Sequence, residues 1–190
     1  MTPSQVLHKN DKLWGAVAEA LVAAYAMISA GGKLTSYRPM TDVDGKDIII
    51  DLAGGFRDLY AQVKCTTGVT RNRRFGGTVR LRRDHAPVDP KFVYIFTVLD
   101  RVKMELSRIW VVPAADFYRR AYRTTLSNGM VQFNFDCRVS GDEKWDEFEV
   151  SRQELGPRLV QLITRASKTR RRTHIDDRDQ VAGRWLRLVA

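Results

Sequence analysis

The sequence is poor in the residues that build structural metal sites and disulfide frameworks. Its 190 residues include two cysteines, Cys65 and Cys137, and three histidines. The cysteines are far apart and form no Cys-x-x-Cys pair, and the histidines match no metal-ligand spacing, so we expect neither a zinc site nor a disulfide scaffold. Reduced thiols are typical of cytosolic proteins, and we therefore expect a cytoplasmic location.

The sequence also lacks internal repeats, low-complexity segments and an excess of acidic residues. Lys and Arg number 32 against 22 Asp and Glu, which gives a net charge of +10. This excess favours a polyanionic partner, nucleic acid before an anionic membrane surface. With 44% apolar residues the chain can bury a core, and we expect one domain over residues 1–166, followed by a basic tail over residues 167–190.

Residues 13–32 form the one long apolar stretch, and Glu19 is its single charged residue. Its length would allow a membrane span or a signal peptide, and that alternative stays open. A carboxylate near the middle is costly in lipid, however, and Ala and Gly dominate the composition. We therefore expect no membrane, and instead a soluble helix, buried on most of its faces, that ends at Gly31-Gly32.

The rest of the chain predicts a mixed sheet flanked by helices, in the α/β (α+β) class. Residues 47–64 have the pattern of a β-hairpin, with Asp44-Gly45 as the turn that precedes it. Further segments predict strands over residues 92–99, 108–112 and 130–139 and a helix over residues 114–123 after Pro113. A last helix is expected from a Ser151–Glu154 capping box to about Ala166, with a break or kink at Gly156-Pro157. Residues 71–83 contain a glycine pair and predict a loop or a flexible basic ribbon.

Four polar residues in this pattern suit phosphodiester hydrolysis. An acid on the first helix, Glu19, precedes an acid at the start of a strand, Asp47, and then Gln62 and Lys64 on one face of the next strand. A hard divalent cation takes oxygen ligands, which the two carboxylates, the Gln62 amide and the Val63 carbonyl would supply. Taken alone, Glu19 is better explained as a solvent-facing residue or the partner of an arginine.

The segments around these residues resemble a known superfamily. Glu19 followed by PMTDVDGKDIII and AQVKCTT is similar to the PD-(D/E)XK nucleases, in their Holliday-junction-resolvase and restriction-endonuclease-like branch. The resemblance implies a restriction-endonuclease-like αβββαβ core and a Mg²⁺- or Mn²⁺-dependent DNA endonuclease of repair, recombination, restriction or defence. It makes Asp47 the central metal ligand, Glu19 an accessory ligand and Lys64 the catalytic lysine, with Gln62 replacing the usual acid.

That replacement keeps a second function open. Loss of one carboxylate weakens metal binding, so the chain is alternatively a nucleic-acid-binding module with a degenerate site. Asp44 is a candidate second acid, although its role in the Asp-Gly turn is the preferred explanation. We expect the basic segment to contact the phosphate backbone without reading bases. Its arginines are Arg71, Arg73, Arg74, Arg80, Arg82 and Arg83. A homodimer is expected, because one site cuts one strand.

Overall fold

The computed structural model describes residues 3–40, 45–55, 57–69, 73–82, 88–140 and 144–167, with side chains from residue 12 onwards. Three helices are present in these ranges: α1 Pro3–Ser29, α2 Ala114–Arg120 and α3 Leu155–Ala166. The strands are β1 Leu34–Tyr37, β2 Ile48–Leu52, β3 Arg57–Thr66, β4 Arg74–Arg82, β5 Phe92–Asp100, β6 Glu105–Pro113, β7 Tyr122–Thr125, β8 Met130–Arg138 and β9 Glu149–Val150. A short 3-10 helix, Asp146–Phe148, precedes β9.

The strands form two sheets. The central sheet has the order β1-β2-β3-β5-β6-β9, in which β3 and β5 are parallel and the other neighbours antiparallel. The second sheet has the order β4-β8-β7. The predicted mixed sheet flanked by helices is confirmed, and so is the hairpin, which pairs Ile48 with Ala61. Between β3 and β5 the described chain contributes β4 to the second sheet.

Helix α1 lies on the central sheet along a narrow stripe of small residues. Ala18, Val22 and Ala26 are fully buried and follow one another at a spacing of four residues. The expectation of a helix buried on most faces is wrong, because Leu13 and Ile28 on its other sides are 55% and 76% exposed. By length and composition Lys12–Ser29 is apolar enough to cross a membrane, and it is the one such segment in the described part of the chain.

The glycine pair ends α1 as expected. Gly31 and Gly32 have φ angles of 61° and 75°, which glycine adopts without steric cost. The Gly32 N–H donates to the Met27 carbonyl at 3.2 Å and the Gly31 N–H to the Ile28 carbonyl at 3.0 Å. These two bonds form a Schellman motif, which satisfies the last carbonyls of the helix.

Helix α3 begins with the predicted capping box. Ser151 Oγ accepts from the Glu154 N–H at 3.2 Å, and Glu154 Oε2 accepts from the Ser151 N–H at 2.9 Å. The expected break at Gly156-Pro157 is wrong, because both residues lie in the first turn of Leu155–Ala166. A proline there loses no hydrogen bond, since the first N–H groups of a helix have no intrahelical partner.

An aromatic core joins the second sheet to the central sheet. Phe135 of β8 stacks on Phe96 of β5 with ring centroids 4.1 Å apart and contacts Trp110 and Trp145 at 5.2 and 4.8 Å. A Cβ at Gly77 of β4 would lie 2.8 Å from the Phe96 ring. The sheets therefore approach closely at that glycine.

Two other predictions need correction. Residues 74–82 of the basic segment are not a loop but strand β4, because their apolar residues Phe75 and Val79 pack into the aromatic core. The helix after Pro113 ends at Arg120, since Ala121 is extended and the next residues pair with β8 as strand β7. Residues 168–190, which make up nearly all of the expected basic tail, lie outside the described residues.

Candidate active site

Asp47 is fixed against the neighbouring strand by its backbone and its side chain. It precedes β2, and its N–H donates to the Ala61 carbonyl at 2.9 Å. Its Oδ2 accepts from the Val63 N–H at 2.7 Å. In a longer β2, a backbone carbonyl would accept this bond from the Val63 N–H. Here the Asp47 carboxylate accepts it instead, which holds the carboxylate beside the Gln-x-Lys segment of β3.

Gln62 and Lys64 share the face of β3 that points away from helices α1 and α3. The alternate residues Ala61 and Val63 belong to the core beneath the helices, and successive side chains in a strand point to opposite faces. The Ile48–Ala61 register puts Asp47 on the same side as Gln62. The structure therefore brings together three of the four residues that the sequence singled out.

The turn before β2 packs directly against Gln62. Gly45 has a φ of 65°, and a Cβ there would lie 2.8 Å from Gln62 Nε2. Glycine is required at this position both for the left-handed backbone and for the close approach. Asp44, the candidate second acid, lies outside the described residues.

Glu19 is the exception among the four residues. It lies on α1, on the opposite face of the sheet, and Glu19 Oε2 is 3.0 Å from Arg38 Nη2. The same guanidinium donates to the Ala16 carbonyl at 3.0 Å. Arg38 follows β1 at the end of the sheet where β2 begins. Glu19, which pairs with Arg38, therefore lies at the same end of the sheet as Asp47, as expected. Its described partner, however, is an arginine.

Asp47, Gln62 and Val63 carry the oxygen atoms in this region that could hold a hard cation. Among the described residues there is no group of three or more His, Cys, Asp or Glu side chains that would hold a metal ion. Asp47 supplies one carboxylate, and the Gln62 amide oxygen is a neutral donor on the same face. The Val63 carbonyl points to the same side of β3 as the N–H that binds Asp47. This set fits Mg²⁺, which keeps several waters and needs few protein ligands, and does not fit zinc.

An open cleft of about 570 Å³ connects Lys64 to the second sheet. Lys64 and Cys65 lie on one side, and the glycines Gly76 and Gly77 leave the edge of β4 without side chains. Burial raises the pKa of the Cys65 thiol, and its Sγ donates to the Thr66 carbonyl at 3.7 Å. The remaining lining residues come from the second sheet: Thr78, Tyr122, Asn134, Phe135 and Asp136.

The polar residues that the second sheet contributes to this cleft match no motif in the sequence. Their signal was present in the alternation of β8, where Gln132, Asn134 and Asp136 separate buried Phe133 and Phe135. The alternation predicted strand β8. It could not show that the polar face of β8 lies beside β4 and lines a cleft with Lys64.

Three of the arginines expected to bind nucleic acid lie on β4 and point away from the core. Arg74 Nε is 2.5 Å from Asp136 Oδ1, and Arg80 Nε donates to Gln132 Oε1 at 2.9 Å. Arg82 lies exposed at the end of the strand, and Arg73, also exposed, precedes it. Arg71 and Arg83 lie outside the described residues.

The comparisons with known proteins found a likeness in structure but no match in sequence. No family model matches the chain, and no curated protein matches it. The chain is similar to the solved structure of a bacterial homing endonuclease, I-Ssp6803I, with 15% identity over 78% of this chain and 94% of that chain and a TM-score of 0.46. A likeness this weak carries no weight for the chemistry of the site.

Proposed function

We propose that this protein is a Mg²⁺-dependent DNA endonuclease whose site consists of Asp47, Gln62, Lys64 and the Val63 carbonyl. The observation that carries the proposal is the 2.7 Å bond from the Val63 N–H to Asp47 Oδ2. It joins the acid before β2 to the Gln-x-Lys segment of β3, so that an acid, an amide and a lysine converge on one face of the sheet.

Each residue has a distinct role in this proposal. Asp47, Gln62 and the Val63 carbonyl would hold Mg²⁺ or Mn²⁺, and the bound ion stabilises negative charge at phosphate and makes water more acidic. Lys64 places an ammonium beside the cleft, where it orients the attacking water and stabilises charge on the phosphate oxygens. The bond from Val63 restricts Asp47 to one orientation, which limits the reorganisation needed when substrate binds.

Glu19 is proposed as an accessory residue. Its ion pair with Arg38 would have to open, or Arg38 would have to move to a phosphate, before the carboxylate could reach a cation. We propose that the outward arginines of β4 bind the DNA backbone. Cutting both strands would require a homodimer, which we propose as the active form, in the cytoplasm and acting in repair, recombination, restriction or defence.

Cleavage of supercoiled plasmid with Mg²⁺ or Mn²⁺ tests the proposal. We expect nicked or linear product from the native protein and a loss of at least about 100-fold for Asp47→Ala and for Lys64→Ala, the scale of removing a group that stabilises transition-state charge. Asp116→Ala and Lys103→Ala are matched controls, since Asp116 pairs with Arg119 on α2 and Lys103 lies in an exposed turn. Cleavage that survives both site substitutions would place the active site elsewhere.

A second function is favoured by the donor set itself. Asp47 is the one carboxylate held at the Gln-x-Lys segment by a described bond, and the described partner of Glu19 is Arg38. A site with so little negative charge binds cations weakly, which suits a nucleic-acid-binding module without catalysis. Calorimetric titration with Mn²⁺ distinguishes the two. Heat of binding that disappears in Asp47→Ala supports the nuclease, and DNA binding without any metal binding supports the module.

A further inference from the structure

The second sheet presents one polar face to solvent. Along β4 and β8 the inward residues belong to the aromatic core, whereas the alternate residues are exposed or half-buried. The outer face of the second sheet consists of these outward residues together with two from β7. Its polar members are Arg74, Thr78, Arg80, Arg82, Gln132, Asn134, Asp136, Arg138, Tyr122 and Thr124, and Gly76 and Met130 also face outward. Four arginines against one aspartate make this face positively charged, and a polyanion therefore complements it.

The centre of the outer face is a row of hydrogen-bonded side chains. Arg80 Nε donates to Gln132 Oε1 at 2.9 Å, and Gln132 Nε2 donates to Asn134 Oδ1 at 3.1 Å. Thr78 Oγ1 donates to the same Asn134 oxygen at 3.2 Å. These bonds hold the side chains in a fixed arrangement on a rigid sheet. Arg80 makes this bond through its Nε proton, so the bond does not involve its terminal amino groups.

The residue types in this row are those that distinguish base pairs. Arg pairs with O6 and N7 of guanine, and Asn and Gln pair with N6 and N7 of adenine. Contacts with phosphate alone would need only charge, and lysines or scattered arginines would supply it. An ordered Arg-Gln-Asn-Thr row is therefore better suited to base edges than to the backbone.

The dimensions of the sheet fit the major groove of B-form DNA. Neighbouring strands lie about 4.8 Å apart, and β4 pairs with β8 from Arg74–Arg138 to Arg82–Met130, along their whole lengths. Strand β7 lies beside β8 only from Val131 to Asn134, so the rest of β4 and β8 is a two-stranded ribbon. A ribbon of that width enters the major groove, which is about 12 Å wide. The minor groove is about half that width, and the major groove of double-stranded RNA is too deep and narrow for side chains to read.

The outer face is continuous with the candidate active site. Thr78, Asn134 and Tyr122 line the same cleft as Lys64. A duplex held on β4 and β8 would therefore have its backbone near the lysine, and base recognition would set which phosphate lies there.

We propose that the outer face of the second sheet reads base edges in the major groove of duplex DNA, so that the protein acts at a preferred sequence. This inference rests on the proposed nuclease function and deepens it, because it names sequence-specific duplex DNA as the substrate class. It also changes the expectation drawn from the sequence, in which the basic segment only followed the phosphate backbone.

Selection from a randomised duplex library, in buffer with Ca²⁺ or EDTA so that binding is measured without cleavage, tests the inference. We expect the native protein to enrich a motif. The double variant Gln132→Ala/Asn134→Ala should lose roughly 5- to 150-fold discrimination at the base pair that each residue contacts. Thr35→Ala, on a strand of the central sheet outside the outer face, is the control and should enrich the native motif.

A second variant separates base reading from charge. Arg80→Lys keeps the positive charge and loses the planar fork, so we expect relaxed specificity with an unchanged salt dependence of binding to random duplex. Three results would overturn the inference: no enriched motif, a motif unaffected by both variants, or tighter binding to double-stranded RNA than to DNA.

The two proposals fail separately. Metal-dependent cleavage without an enriched motif would overturn the inference and leave the nuclease intact. A motif that is lost in the variants, in a protein that never cleaves, would support the reading face and overturn the nuclease.

Discussion

The two faces of the central sheet are covered differently. On one face α1 and α3 pack across β2, β3, β5 and β6, with aliphatic residues such as Ile50, Leu59 and Ile95. On the other face the second sheet packs on β5 and β6 through aromatic rings. Among the described residues, β2 contributes nothing to that aromatic core and β3 contributes only Tyr60 at its margin. The helices thus cover the whole sheet, whereas the second sheet covers about half of it.

Asp47, Gln62 and Lys64 lie at or beyond the margin of the second sheet, where Gly77 of β4 approaches the Lys64 side chain. In β2 and β3, alternate residues such as Ile50 and Val63 are buried beneath the helices. The residues between them point to the other face of the sheet, where Lys64 lies beside β4. A polar side chain inside either core would need a partner for every buried polar atom. At the margin of the second sheet it can reach water or a ligand instead. Partial coverage of a sheet therefore leaves room for polar side chains without breaking the core.

The largest stability effect that we predict comes from a substitution in the aromatic core. Phe135→Ala should lower the free energy of unfolding by about 3–5 kcal/mol, because it removes a ring that contacts Phe96, Trp110 and Trp145. Urea denaturation measures it. Ile50→Val, which shortens one side chain on the helix-covered face, is the comparison and should cost about 0.5–1.5 kcal/mol. A loss below about 1 kcal/mol for Phe135→Ala would show that this ring contributes little to the aromatic core.

The next largest effect concerns how closely the two helices on the other face approach. A Cβ at Gly156 would lie 2.4 Å from the Ala30 nitrogen and 2.6 Å from the Ala26 carbonyl oxygen. Gly156→Ala should therefore destabilise the protein by about 1–3 kcal/mol, the cost of overpacking.

Gly15 offers a matched control in the same pair of helices. A Cβ at Gly15 would meet nothing within 4 Å, so Gly15→Ala should stabilise the protein by about 0.5–1 kcal/mol through helix propensity. The two thermal unfolding midpoints should shift in opposite directions. A downward shift for both would mean that the close packing at Gly156 is not the cause.

A smaller effect tests the hydrogen bond that joins these helices. Ser29 Oγ accepts from the Gly156 N–H at 2.8 Å and donates to the Tyr25 carbonyl at 2.6 Å. Ser29→Ala leaves an N–H in the first turn of α3 without that acceptor and should cost about 1 kcal/mol in denaturant titration. Ser167→Ala removes an exposed hydroxyl at the other end of α3 and should change stability by less than about 0.5 kcal/mol.

The smallest effect that we predict is on the rate at which Cys65 is alkylated. Cys65 lies in the cleft at the margin of the second sheet. Because burial raises the pKa of the Cys65 thiol, less of it is thiolate at neutral pH than of an exposed cysteine. We expect iodoacetamide to alkylate Cys65 slowly near pH 8 and faster as the pH rises further, since the thiolate is the nucleophile.

Mass spectrometry assigns the modified cysteine. Cys137 is fully buried and serves as the internal reference that should remain unmodified in folded protein. Rapid alkylation of Cys65 at neutral pH would contradict the raised pKa and show the cleft to be more open than the structure has it.

The sequence predicted the local elements more successfully than their surroundings. Gly31-Gly32, the Ser151–Glu154 box and the β2–β3 hairpin were all recognised, because each is formed by residues close together in the chain. For the basic segment, Gly76-Gly77 predicts a loop or a flexible ribbon, because a glycine pair suggests flexibility. In the structure this pair allows β4 to lie against Phe96, and that reason is invisible without the partner strand.

The sequence by itself determined which residues are candidates for the chemistry and which faces of the strands they share. Period-two alternation places Gln62 with Lys64, and the hairpin adds Asp47. Only the tertiary structure decided that Glu19 pairs with Arg38 and that the polar face of β8 joins β4 beside Lys64. The physical reason is distance along the chain: alternation and turns act between neighbouring residues, whereas sheet packing depends on how separate cores are buried together.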